Sequence, residues 1–288
     1  MVTAGSIAKQ LQNLVFQKPN KANLSKMTGF SGSKIKPFLV IRDRLKIRGY
    51  AFIHPEEKRP TIIISHELGA NQVTSARWVT PQYKAGYNVY IFDFAGGGNV
   101  SISDGKTTDM SIQTEEADLN VVLNYVKSIK STDTNHLVLE GNSQGGIVAA
   151  LIAAKRPNDV NKLILNYPGF SIPDMCQSGK GLPQGSLDPK NPPATLKIKN
   201  VLIVVGRKYI TDAQKINTWK TVKNFKKLVI LTYGTSDSVI SQPTFHKIEQ
   251  TYSDIKSVPI KGTGFQHAFP NPNDFAAAQK ADVNFLRS

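Results

Sequence analysis

Five unbroken apolar runs constrain this chain more than any other feature: Thr61–Ser65, Asn88–Phe94, His136–Glu140, Lys162–Asn166 and Lys227–Thr232. Each is rich in Ile, Val and Leu and lacks the in-out alternation of a strand with one wet face. Such runs belong to strands covered on both sides, as in a parallel sheet held between helical layers. Between the second and third runs, Ile112, Leu119, Val122, Leu123, Val126 and Ile129 recur at helical spacing. Glu115 and Glu116 stand near the start of that segment, where carboxylates favour the helix dipole. The expected fold is therefore α/β and doubly wound. Upstream, the alternating stretches Phe38–Ile41 and Leu45–Ile53 flank Arg42, Asp43 and Arg44, which predicts an antiparallel pair at the sheet edge.

A chain of 288 residues is long enough for one large core and needs no second domain. Residues 1–33, with Ile7, Leu11, Leu14 and Val15 at helical spacing, read as an N-terminal extension, and 34–288 as the main domain. Within it, about 171–224 reads as an inserted lid, because Pro173, Pro183, Pro189, Pro192 and Pro193 exclude that stretch from a sheet core. The run Leu196–Val205, continued by Gly206–Ile210, predicts a hairpin inside the insertion rather than another core strand.

Lys and Arg number 36 against 21 acidic residues, a formal net charge of +15. The lysines are scattered, with no ribonucleoprotein, zinc or helix-turn-helix pattern, so no nucleic-acid partner is expected. Association with an anionic cell surface is the partner that the charge suggests beside a small-molecule substrate. Cys176 is the lone cysteine, which excludes an intrachain disulfide and a Cys-rich metal site. His66 and Glu67 lack the second histidine of an H-E-x-x-H zinc motif. The glycine block Gly96–Gly98 fails the dinucleotide fingerprint at Ser101, and no G-K-[ST] follows, so no cofactor is expected. Its glycines instead suit close backbone approach near the site. No apolar run reaches the ~18 residues of a membrane span, and the first thirty residues lack a signal-peptide core. The chain reads as soluble, with cytoplasmic placement and secretion from a removed leader both open, and oligomeric state unread.

The chemistry gathers around Leu137–Lys155, an apolar run that breaks at Gly141-Asn-Ser143-Gln-Gly145 and feeds a small-residue helix. This is the strand-turn-helix context of a nucleophile elbow, with Ser143 on the break. A serine hydroxyl needs a base, and the base an acid to orient it. Asp237 follows the run 227–232 and His267 follows Ser257–Ile260, so nucleophile, acid and base each come after a strand in the order Ser, Asp, His. Asp237 alone also suits a turn that bonds to itself. Asp254 is the alternative acid but follows a helix. His54, His136 and His246 read as surface imidazoles. Oxyanion donors are expected from the N–H of Gln144 and from that of Leu68 in the loop Ser65–Asn71. His66 reads as a buttress of that loop.

These motifs resemble those of bacterial feruloyl (cinnamoyl) esterases, within the α/β-hydrolase superfamily, over about Phe38 to Leu286. They are the H-x-x-x-A-N loop at His66–Asn71, the block Phe92–Gly98 with Ser103–Gly105 and Thr108–Ser111, G-x-S-Q-G-G at Gly141–Gly146, G-T-x-D at Gly234–Asp237, and the Gly-x-x-His ending at His267. The resemblance implies an eight-stranded-type, mostly parallel sheet with a lid between its sixth strand and the acid. It implies Ser143 as nucleophile, His267 as base, Asp237 as orienter and Leu68 and Gln144 as oxyanion donors, acting on hydroxycinnamoyl or short-chain acyl esters. Glu67 stands where the family usually has glycine, and Asn142 where histidine or glutamate is common. A peptidase or amidase of the same fold, and a non-catalytic basic surface-binding protein, are the alternative functions.

Overall fold

The computed structural model describes residues 13–55, 58–182, 185–198, 202–262, 264 and 266–288. Ile7 and Leu11 of the N-terminal segment, Pro183, and residues 199–201 inside the run from Leu196 to Val205 lie outside them. In chain order the strands are β1 (Ile35–Arg42), β2 (Leu45–Phe52), β3 (Arg59–Ser65), β4 (Asn88–Phe92), β5 (Thr132–Asn142), β6 (Lys162–Asn166), β7 (Thr195–Ile198), β8 (Ile203–Gly206), β9 (Val229–Gly234) and β10 (Ile255–Ile260). The helices are α1 (Lys21–Thr28), α2 (Gln72–Lys84), α3 (Ile112–Ser128), α4 (Gln144–Lys155), α5 (Ile172–Ser178), α6 (Arg207–Ala213), α7 (Thr218–Val222), α8 (Gln242–Thr251) and α9 (Pro272–Arg287).

Eight strands form one sheet in the order β1-β2-β4-β3-β5-β6-β9-β10. Every pairing is parallel except the two made by β2, which runs against both β1 and β4. The expected edge hairpin is thus present, closed by Asp43 and Arg44 at φ 47° and 72°, the mirror-type turn whose twist matches the strands it joins. All residues of β4, β6 and β9 are buried, as the continuous apolar runs predict. The strand at 88–94 ends two residues early, because the Asp93 carboxylate leaves the ladder to accept the N–H groups of Gln72 (2.7 Å) and Ile102 (2.7 Å).

Connection order sets the layers. The chain steps from β3 to β4 in one direction across the sheet and from β4 back past β3 to β5 in the other. Right-handed crossovers therefore put α2 and α3 on opposite faces. From β5 to β6 the direction is kept, so α4 joins α3, and those two helices pack together. The C-terminal α9 packs with α2. The α3 helix starts with a capping box in which the Ser111 side chain accepts the Thr114 N–H and the Thr114 side chain accepts the Ser111 N–H.

Between β6 and β9 lie α5, a hairpin of β7 and β8 separate from the main sheet, α6 and α7. The hairpin was expected to run on through Gly206–Ile210, but Arg207–Ala213 is helical. Tyr209, Ile210 and Ala213 recur at helical spacing and are buried on one side. This segment is fastened to the main domain: Thr107 Oγ1 donates to the Val204 carbonyl (2.6 Å), Asn99 Nδ2 to that of Leu202 (2.8 Å), and Ser111 Oγ to Asp212 (2.8 Å). No helix among the described residues is long and apolar enough to cross a membrane.

Candidate active site

Ser143 sits between β5 and α4 at φ 50°, ψ −117°, a strained conformation for a residue with a side chain. The turn is tight enough that a Cβ on Gly145 would stand 2.3 Å from the Ser65 carbonyl oxygen and one on Gly141 would stand 2.2 Å from the Gly145 oxygen. Only glycine fits at either position, which is the physical content of the five-residue pattern. Residues 141, 142 and 144–146 are buried while Ser143 is partly exposed, so its hydroxyl is the reachable group of the turn.

The histidine and the acid meet it there. His267 Nε2 lies 3.1 Å from Ser143 Oγ and His267 Nδ1 lies 2.9 Å from Asp237 Oδ2. Asp237 bonds its own turn as well: Oδ1 accepts the N–H groups of Val239 (2.8 Å) and Ile240 (2.9 Å). The turn-forming and histidine-facing readings are therefore both correct, one for each oxygen, and the first fixes the carboxylate plane for the second. Asp254 immediately precedes β10, whereas His267 follows its far end and holds Asp237 at Nδ1, so Asp254 is not the partner.

The loop after β3 passes the same end of the sheet, since Ser65 is in register with Gly141. In that loop the Gly69 N–H is taken by the Gly97 carbonyl (3.0 Å) and that of Ala70 by Glu67 (3.1 Å). The N–H groups of Leu68 and Gln144 have no acceptor among the described residues. His66 is buried, accepts the Phe94 N–H at Nε2 (3.1 Å) and faces the Glu67 carbonyl with Nδ1 (2.8 Å). The hydrogen bonds require the Nδ1–H tautomer and make this residue the expected buttress. The glycine block supplies the other wall: Gly69 bridges Gly98, where a Cβ would stand 2.1 Å from the Ala70 oxygen.

The Gln144 side chain turns away from the reacting hydroxyl into the core. Its Oε1 accepts Tyr209 Oη from α6 (2.6 Å) and its Nε2 donates to Glu115 on α3 (2.8 Å). Burial pushes the Glu115 carboxyl well above the ordinary carboxylate range, against the opposing effect of that amide. Four contributors escaped the sequence reading. Gln266 is buried, accepts the Ser236 N–H (2.7 Å) and donates to Asp274 (2.8 Å), so it ties the acid loop to the histidine loop. Tyr167, Arg77 and Tyr209 act from other elements, and only the adjacency of Gln266 to His267 offered a local signal. His54 is not a free surface imidazole but stacks on Tyr83 with centroids 3.8 Å apart, while His136 and His246 are exposed as expected.

The comparisons bear on the fold. Residues 56–192 match the family model described as serine aminopeptidase, S33. Protein bem46 of Schizosaccharomyces pombe is 25% identical over 182 residues, 61% of this chain and 59% of that protein. The uncharacterized protein YqkD of Bacillus subtilis is 33% identical over 116 residues, 39% of this chain and 35% of that protein. The matched stretch therefore spans 59% or less of these curated relatives. Among solved structures, Est1E from Butyrivibrio proteoclasticus with ferulic acid bound superposes at a TM-score of 0.76 with 22% identity, covering 87% of this chain and 100% of that one. Alpha/beta hydrolase domain-containing protein 10 from mouse gives 0.65 with 15% identity, covering 88% and 98%. Strand order, the elbow and these neighbours together give the chain the α/β-hydrolase fold. The likeness to Est1E, at 22% and 20% identity in its two structures, is one of fold.

Proposed function

We propose that this chain is a serine carboxylic-ester hydrolase working through an acyl-enzyme. One observation carries the reading: the hydroxyl of Ser143, the imidazole of His267 and the carboxylate of Asp237 form a continuous line of contacts of 3.1 and 2.9 Å on a strained elbow. Ser143 attacks the ester carbonyl while His267 Nε2 takes its proton and returns it to the leaving alcohol. Asp237 receives Nδ1–H, fixing the tautomer and offsetting the imidazolium charge. The N–H groups of Leu68 and Gln144 stabilise the oxyanion. Water then enters by the same route in reverse and releases the acid. The fold shared with Est1E, solved with ferulic acid bound, supports hydroxycinnamoyl esters as first substrates, with short acyl esters beside them, and the segment between β6 and β9 acts as the lid that shapes the acyl site.

Ser143→Ala should lower kcat on p-nitrophenyl acetate or methyl ferulate by roughly three to six orders of magnitude, and a fluorophosphonate should form one adduct, on Ser143, in the folded protein. Turnover that survives the substitution would sink the mechanism. No adduct would leave a non-catalytic basic surface-binding protein of the same fold. The aminopeptidase description of the matching family favours a peptidase as the second reading. Matched aminoacyl amides and esters separate the two, since an esterase turns over only the esters at a useful rate.

A further inference from the structure

Glu67 immediately precedes Leu68, the proposed oxyanion donor. Its carboxylate is not held out toward an incoming substrate. Oε1 accepts Tyr167 Oη at 2.9 Å and Oε2 accepts Thr74 Oγ1 at 2.7 Å. Tyr167 follows β6, is completely buried and has φ 41°. Its ring meets the His267 ring nearly edge-on, with centroids 5.0 Å apart and planes at 67°, and meets Phe269 at 5.2 Å and 81°. From α2, Arg77 donates to the carbonyls of Ala268 (3.2 Å) and Phe269 (3.1 Å) and lies 3.8 Å over the Phe275 ring. Both carbonyls belong to residues with positive φ, 63° and 45°, a conformation that needs outside support. Burial lowers the Arg77 pKa, and the charge of Glu67 works against that loss.

One carboxylate therefore joins the loop that carries Leu68 to the aromatic ring that backs His267, across 100 residues of sequence. We propose that Glu67 is a positioning residue, which through the Tyr167 hydroxyl holds the Leu68 N–H and the His267 imidazole in one register. The proposal rests on the serine-hydrolase reading above. It differs from a substrate-binding role because both carboxylate oxygens already have donors. A misplacement of about 1 Å between donor and base costs on the order of 100-fold in rate, so the effect belongs in kcat.

The test is steady-state turnover of p-nitrophenyl acetate by Glu67→Ala, Tyr167→Phe, the double variant and Glu67→Gln, each checked for native unfolding behaviour. The rate of Ser143 labelling by a small fluorophosphonate is measured in parallel, because it needs no match to the acyl site. Glu67→Ala should lower kcat and the labelling rate by roughly 10- to 100-fold, with KM within about threefold. Tyr167→Phe should do nearly the same, and the double variant should be no worse than the poorer single one, since both remove one link. Glu67→Gln keeps an acceptor for Tyr167 and should recover at least about a third of the wild-type kcat. Multiplicative losses in the double variant, a change confined to KM, or unchanged labelling in Glu67→Ala would overturn the proposal. Ser143→Ala, run beside them, separates the two claims: if it retains turnover the serine mechanism fails, and if it is inactive while Glu67→Ala is normal only the positioning role fails.

Discussion

Asp118 on α3 and Asp282 on α9 are equally withdrawn from water, at 0% and 1% exposure, and lie on opposite faces of the same sheet. Their surroundings differ in kind. Asp118 receives the Arg42 guanidinium from the edge hairpin and the Ala95 N–H at 2.8 Å. Burial raises its pKa to about 6, with Arg42 resisting the shift. Asp282 has no ion pair among the described residues. It accepts Asn166 Nδ2 at 3.2 Å beside a second buried acid, Glu140, which accepts amide donors from Gln82 and Asn166. Burial pushes Asp282 up to about 8 and Glu140 well above its ordinary range. A buried carboxylate with a cation can stay ionised, whereas one among amides keeps its proton. The placement suits the proposed chemistry. Glu140 lies three residues before Ser143 on β5, and a negative charge there would oppose the one that builds on an oxyanion.

The largest effect should come from stripping the paired acid of its cation. Arg42→Ala should cost about 3 kcal/mol of unfolding free energy at pH 8 by chemical denaturation, and less at pH 5, where Asp118 can take up a proton. A loss independent of pH would mean that Arg42 acts through packing alone, and the contrast would collapse. Asp282→Asn should act in the opposite direction. Because its native pKa lies above that of the unfolded chain, near 4, the native state alone holds the proton between about pH 4 and 8. Stability therefore falls as pH rises through that window and levels off above it. The variant lacks this slope and should gain on the wild type by about 2 kcal/mol at pH 6, with little difference near pH 4 and a wider gap at pH 9. Glu140→Gln should give the same sign with about 1 kcal/mol at pH 9, because relieving either acid relieves its neighbour. A gain at pH 4 as large as at pH 9 would show that the acids are ionised in the native state.

Much of this arrangement was readable from residue order. The parallel strands announced themselves because burial on both faces leaves no polar alternation; Ser143 and Asp237 follow two of them, while His267 follows the half-buried edge strand β10. The helix at Arg207–Ala213 was hidden behind an apolar run that continues the strand pattern for several residues before its period changes. Tyr167, Arg77 and Gln266 were hidden for a different reason. Their roles exist only as contacts between segments, such as the bond from Tyr167 to Glu67, and no local periodicity encodes a partner that distant. His54 was misread because an imidazole on a loop looks solvated until the ring of Tyr83 is placed beneath it.

The segment between β6 and β9 has a consequence for kinetics. From Tyr167 to Leu228 it carries 11 Lys and Arg against three Asp, which is more than half of the chain's net charge of +15 in 62 of its 288 residues. Tyr209 anchors this basic segment to Gln144, the residue after Ser143. Anionic esters should therefore be captured faster than neutral ones of the same shape, by diffusion along the field of its charge. Added salt should slow their kcat/KM steeply and leave that of a neutral ester nearly flat.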